Sequence, residues 1–347
     1  MLMHVQRLLP LACATVLTAL GSVLAPAAHA DTRHVVHPGE SIQRAVDAAA
    51  PGDIIDVLPG SYPGSVLIGT DRVTIRGAGE GTVITPGAAG AANACAAAGH
   101  GICVFGTAKH PVSDVRIQSL AVTGFAKTGV MGSATEHMRV RHVSAHDNGE
   151  HGIGQEQSTR AEFTDNITDD NAQAGLFLAD TADAMGASIA RNHASGNRLG
   201  VLIRRGRALT IEYNELTGNC AGVFIVGDET KPVAGALAIR RNRIDENNKY
   251  CEANPRLAFI QGSGIVLTGA QETQVSGNRI RDNRGESPMS GGIVMVPSFS
   301  GEPTANNVVR DNIVQRNEPA DLANRDAAAV NTFTANTCGR SEPAGHC

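Results

Sequence analysis

The chain has 347 residues, with 29 Lys and Arg against 34 Asp and Glu and a formal net charge of −5. That balance supplies no basic field for nucleic acid or for an anionic membrane surface. With no Trp and only three Tyr, the chain also lacks the aromatic platforms that hold neutral sugars, which counts against a cellulose- or xylan-type hydrolase.

Residues 1–30 read as a secretory signal peptide. Arg7 gives a basic start, an apolar run extends from Leu8 through Leu24, and Ala28-His29-Ala30 is a small-residue cleavage site. Pro10 and Gly21 interrupt the run, which argues against a membrane anchor. The mature protein is therefore expected to be secreted and extracellular, with no membrane association after signal cleavage. Next, Ser41 caps a short helix that places Ile42, Ala45, Val46 and Ala49 on one face. Pro51-Gly52 ends it, and Ile54–Val57 and Val66–Ile68 follow as strands around the turn at Pro59-Gly60. Residues 31–70 thus read as an N-terminal cap and 71–347 as the body.

The body repeats. An apolar anchor is followed three residues on by Asn and five residues later by a second Asn: Phe163 with Asn166 and Asn171, Ile189 with Asn192 and Asn197, and Ile211 with Asn214 and Asn219. Ile239, Val275 and Val309 begin the same phrase, Ile117 and Val140 begin degenerate versions, and Ala328 with Asn331 and Asn336 closes the series. Anchors from 117 to 309 are spaced 22–36 residues apart, as expected for stacked coils with loops of variable length. Most coils carry a second phrase, Gly followed by aliphatic residues, as in Gly175-Leu-Phe-Leu, Gly200-Val-Leu-Ile and Gly222-Val-Phe-Ile. Several short strands per coil, joined by polar corners, stack in parallel about 4.8 Å apart. Asn donates and accepts at once, so a column of them satisfies corner backbone as a ladder. We predict an all-β, right-handed parallel β-helix. The six cysteines beyond residue 30 are expected as disulfides: Cys95–Cys103 and Cys338–Cys347 by proximity, and Cys220–Cys251 because both fall just past the second Asn corner.

The helix-plugged opening and the Asn ladder together resemble the pectin-lyase-like superfamily over nearly the whole mature chain. That superfamily includes polysaccharide lyases, hydrolases, epimerases, phage tailspikes and periplasmic accessory proteins, so the resemblance specifies architecture more than activity. It implies, for lyases, an Arg or Lys base and neutralisation of the substrate carboxylate by Ca²⁺ or other cationic groups.

Side chains can be assigned to columns along the solenoid. After the Gly phrase, Met131, Gly154, Phe177, Leu202, Phe224, Val266 and Val294 are expected to point outward, an apolar stripe that is either covered by the inserts 226–236 and 248–263 or free as a platform. Just past it lie Glu156 and Gln157, then Asp180, then Arg204 and Arg205, then Asp228. These are the candidate catalytic residues: Arg204 or Arg205 as base, Asp180 and Asp228 orienting it or holding a cation such as Ca²⁺, and Glu156 beside them. A surface ion-pair ladder explains the same columns. A second cluster, His146, Asp147, His151, Asp169 and Asp170, pairs imidazole with carboxylate. A third sets Arg240, Arg241, Arg243, Arg279 and Arg310 against Glu212 and Glu215. The function expected is that of a carbohydrate-active β-helix protein, a lyase on a uronate-containing polysaccharide, with a noncatalytic binding or cell-envelope scaffold as the alternative.

Overall fold

The structure, a computed structural model, describes residues 32–87, 93–254, 257–326 and 330–347, all within the compact unit Asp31–Cys347. The expected signal peptide and the anchor expected at Ala328 lie outside them. Each full coil lays down three strands, for example Glu162–Thr164, Ile167–Asp169 and Ala174–Thr181. The next coil repeats them as Ala187–Ala190, His193–Ser195 and Leu199–Gly206, in parallel register with Phe163 on Ile189, Thr168 on Ala194 and Leu176 on Val201. The first two strand positions merge into a 20-stranded sheet, and the third forms an 11-stranded sheet running from Val66–Ile68 to Ser341–Glu342. We call these the first, second and third faces of the solenoid. All are parallel, so the chain is a parallel β-helix, as the repeat predicts.

The interior is filled by the columns read from the sequence. Ile117, Val140, Phe163, Ile189 and Ile211 stack on the first face, and Val130, Ile153, Leu176, Val201 and Val223 on the third; all are fully buried. Each such side chain contributes about 1.5–3 kcal/mol of apolar burial. At the N-terminal end, α1 (Ile42–Ala48) is capped by the Ser41 hydroxyl, which accepts the Arg44 N–H, and it buries Ile42 and Val46. Gln43 fastens α1 to the third face by accepting the Leu67 N–H at 2.6 Å and donating to the Leu67 carbonyl at 3.1 Å. Strand stacking runs through both sides of residue 70, since Arg33–Val36 pairs with Ile54–Val57 and that strand with Thr74–Arg76.

Two continuous ladders hold the corners. In the first, Nδ2 of Asn166 donates to Oδ1 of Asn192, and the chain continues through Asn214, Asn242, Asn278 and Asn312 to Asn336, every link between 2.9 and 3.0 Å. The second runs from Asn148 through Asn171, Asn197, Asn219, Asn247 and Asn283 to Asn317, and ends on the buried carboxylate of Asp321. Asp321 also accepts the backbone N–H of Asn317, Gly339 and Arg340. In the last coil the register differs from expectation. Asn336 stacks under Asn312, Asn331 stacks under Asn307, and Phe333 takes the anchor position under Val309. Two Asn five residues apart fit the phrase in either alignment, and strand pairing selects this one.

The residue before a ladder Asn adopts a left-handed conformation: φ is 57° at Asp165 and 56° at Arg191, Tyr213 and Arg241. That one residue turns the chain and aims the following amide inward. The Gly that opens each third-face strand has a steric cause: a Cβ on Gly222 would lie 2.4 Å from Ile244 Cγ2 and 2.8 Å from the Gly264 carbonyl of the next coil.

Candidate functional site: a groove on the third face

The outward stripe exists in the predicted register, and it divides into an open and a covered part. Phe224, Val266 and Val294 are fully buried. Over Phe224 and Val266 pack Cys251 and Ile260, which pair with each other across the insert after residue 248, together with Leu257 and Met289. The Cys220–Cys251 disulfide tethers that insert to the solenoid, and the other two expected disulfides, Cys95–Cys103 and Cys338–Cys347, are also present. Earlier in the column, Met131, Phe177 and Leu202 floor a groove of about 850 Å³, with Gly154 between the first two in register.

One wall of the groove carries His100, His151 and Arg198. His151 lies flat on Phe177, with ring centroids 4.1 Å apart and planes 8° apart. Its Nδ1 accepts the Ala174 N–H at 3.1 Å, so in the neutral ring Nε2 carries the proton. Burial lowers its pKa to about 4, with the Arg204 and His100 charges adding to the effect and Glu150 opposing it. His100 repeats the device two coils earlier: Nδ1 accepts the Thr128 N–H at 3.0 Å and burial lowers its pKa. Arg198 donates from Nη1 to the Glu252 carbonyl at 3.0 Å, while its buried Nε and Nη2 have no partner and burial weakens its hold on the proton.

The opposite wall carries Glu156 and Arg204. They share a column with Ala179 and Val226, whereas Asp180 sits at the corner beyond it. Arg204 Nη2 contacts Asp180 Oδ2 at 2.8 Å, its guanidinium carbon lies 5.7 Å from the Phe177 centroid, and its Nε is buried without a partner. Arg205 binds the other Asp180 oxygen and stands 3.5 Å from Asp228, which accepts the Thr230 N–H at 3.0 Å. Burial pushes the Asp228 carboxyl up, but Thr230 and the two guanidiniums outweigh it and hold it below the ordinary range. Glu156 faces the groove with no ion-pair or hydrogen-bond partner for its carboxylate among the described residues.

Four of the five candidates, Asp180, Arg204, Arg205 and Asp228, therefore form one bonded network, with Glu156 free beside it. Their chemistry differs from the expected arrangement in two respects. A base must shed its proton, yet the hydrogen bond and charge of Asp180 raise the pKa of Arg205. Nor do these residues fit Ca²⁺: each Asp180 oxygen already binds a guanidinium, so a divalent cation there would face two positive charges. Among the described residues no group of three or more His, Cys, Asp and Glu is arranged to hold a metal ion.

The second expected cluster separates. His146 bonds Asp147 at 2.8 Å and the Thr123 hydroxyl at 3.1 Å, Asp169 accepts from Ser195, and His151 turns into the groove. The third is exposed ion pairing: Arg240 with Glu212 and Arg243 with Glu215, both at 2.8 Å, while Arg241 lies over Tyr213 and Arg310 reaches Asp311. Sequence reading missed His100, Arg198 and Phe299, the last a 70 % exposed ring at the groove rim. His100-Gly-Ile repeats the phrase of His151-Gly-Ile, a signal that marked it.

Residues 73–237 match the family model of the right handed beta helix region. No curated protein matches the chain significantly. Among solved structures, the A-module of a mannuronan C-5 epimerase of Azotobacter vinelandii shares 19 % identity at a TM-score of 0.62, covering 87 % of this chain and 91 % of its own. A periplasmic alginate epimerase shares 12 % at 0.58, covering 88 % and 77 %. The DFA-IIIase of Arthrobacter chlorophenolicus, in complex with GF2, shares 12 % at 0.54, covering 81 % and 87 %. At these identities the likeness is one of fold.

Proposed function

We propose that this right-handed parallel β-helix protein is a carbohydrate-active protein whose third-face groove binds a uronate-containing polysaccharide and removes the proton at C5 of a bound uronate. The observation that carries the reading is the groove itself. An apolar floor suited to sugar faces lies between two half-buried guanidiniums, Arg198 and Arg204, that retain unpartnered N–H groups. A carboxylate matches the charge of both and the unpartnered Nε–Nη2 edge of Arg198, while Arg204 offers Nε alone because Asp180 holds its Nη2. The epimerases of similar fold act, by their names, on mannuronan and alginate, which are uronate polymers. Three disulfides support an exported protein working in an oxidising compartment.

In this reading Arg204, set by Asp180 and in turn by Arg205 and Asp228, neutralises the uronate carboxylate and so acidifies C5–H. Glu156, whose carboxylate is free, takes the proton. In a lyase the released electron pair forms the C4=C5 bond, the C4–O glycosidic bond breaks, and the departing oxygen takes up the proton. His151, neutral and fixed with Nε2–H, donates a hydrogen bond to a sugar or leaving oxygen. Asp180, Arg205 and Asp228 are positioning residues.

The test is titration calorimetry and near-ultraviolet absorbance with pectate, alginate, hyaluronan and chondroitin, with proton NMR at C5 to register epimerisation. Arg204→Ala should weaken binding at least tenfold, and Glu156→Gln should abolish turnover while binding survives. Failure of every uronate glycan to bind would leave the noncatalytic scaffold reading in place.

A further inference from the structure

Along the solenoid axis the groove is closed at one end, and that boundary is tied down covalently. After Leu202 stands Phe224, fully buried beneath the insert that Cys251 tethers to Cys220. Leu257 and the exposed Phe299 complete that end wall. The open floor is therefore four coils, Met131 to Leu202, which at one strand spacing per coil is about 14 Å from first to last. A pyranose unit in a chain advances by about one such strand spacing, so the floor takes roughly four rings and then meets the insert at the Phe224 end.

We infer that the groove recognises the end of a uronate chain, or a free oligouronide, rather than an internal stretch of polymer. A chain lying along the floor has no exit past the Phe224 wall, so the bound segment must terminate there, with Phe299 offering a ring face to the terminal sugar. The alternative course, across the coils along the strand direction, would let polymer pass through. This inference rests on the uronate reading above and adds the mode of engagement to it.

Calorimetry on the full mature protein, with oligouronides of graded length and with size-fractionated polymer of the same sugar, distinguishes the two. Affinity should rise with length and level off at about four units, and polymer should titrate with one site per chain whatever its length. Stoichiometry that instead grows in proportion to polymer length would overturn the inference while leaving the uronate reading intact. Absence of binding by every length, polymer included, would overturn the uronate reading itself. If product is formed, release of one size from the chain end is expected, and a random ladder of sizes from the earliest times counts against end recognition.

Discussion

Replacing Asn214 with Ala should cost far more than the same change at the end of its ladder. Asn214 is 1 % exposed; its Oδ1 accepts the Asn192 N–H and Nδ2–H at 2.9 and 3.0 Å, and its Nδ2 donates to the Ile189 carbonyl and Asn242 Oδ1 at 2.9 and 3.0 Å. Truncation strips the Asn192 N–H and the Ile189 carbonyl of these partners in a dry corner. An orphaned buried polar group costs about 1–3 kcal/mol, so the pair and the small void left behind together give about 3–5 kcal/mol. Asn336, half-buried at the ladder's end, has only the Asn312 amides and the Val309 carbonyl to lose, with water at hand to replace it; Asn336→Ala should cost about 1 kcal/mol. Urea unfolding followed by far-ultraviolet circular dichroism measures both, with the slope inspected because a solenoid need not unfold in one step. Equal costs at the two sites, or a cost below 1 kcal/mol at Asn214, would show that the ladder is not what stabilises the corners.

Gln155 is fully buried in the interior column between Gly132 and Leu178, and neither end of its amide has a partner; Gln155→Leu should stabilise by about 1–3 kcal/mol in the same urea assay, and a destabilisation would refute the orphan amide. His151, with its folded pKa lowered from 6.5 to about 4, keeps the folded state from taking a proton that the unfolded chain accepts. The stability it contributes is therefore complete above pH 6.5 and is lost as pH falls from there to about 4, an effect of at most about 3 kcal/mol. In His151→Phe, which keeps the stack on Phe177, the slope of stability against pH should flatten over that interval; an unchanged slope would refute the assignment. Phe299→Ala should leave the fold untouched, because the ring is exposed, and should weaken oligouronide binding several-fold; calorimetry on the two proteins checks it.

Most of the fold was legible in the sequence because one side chain solves one recurring problem. An Asn at a buried corner must be matched by an Asn in the next coil, so the need for a partner writes the coil period into the chain. The Gly phrase was legible for a related reason, since close approach between coils excludes a Cβ at Gly222. The last coil failed where two Asn in one phrase allowed two alignments, and only the seating of Phe333 under Val309 separates them. The groove was half legible. The stripe and the Asp180–Arg204–Arg205–Asp228 network follow from register, but the walls do not. Arg198 matters because burial desolvates it and the Glu252 carbonyl of the tethered insert holds its Nη1, and the insert obeys no period. His151 is near His146 and Asp147 in sequence, but the corner between residues 146 and 152 turns it onto another face.

The ladders have a direction. Within each column an Asn gives one amide proton to its neighbour on the C-terminal side and receives on its oxygen from the N-terminal side, while its other amide proton goes to a backbone carbonyl of the coil before, so each column is a file of like-oriented dipoles whose members polarise one another. Such a file can be lengthened by any number of identical members, but its last donor always demands an acceptor that gives nothing back. Asp321 answers that demand for the second file: a carboxylate has only lone pairs to offer, and it collects the final Asn317 amide together with three backbone N–H groups. One residue thus acts as a full stop, setting the number of coils the file can serve, and an engineered solenoid with added coils would have to carry its own carboxylate to the new end.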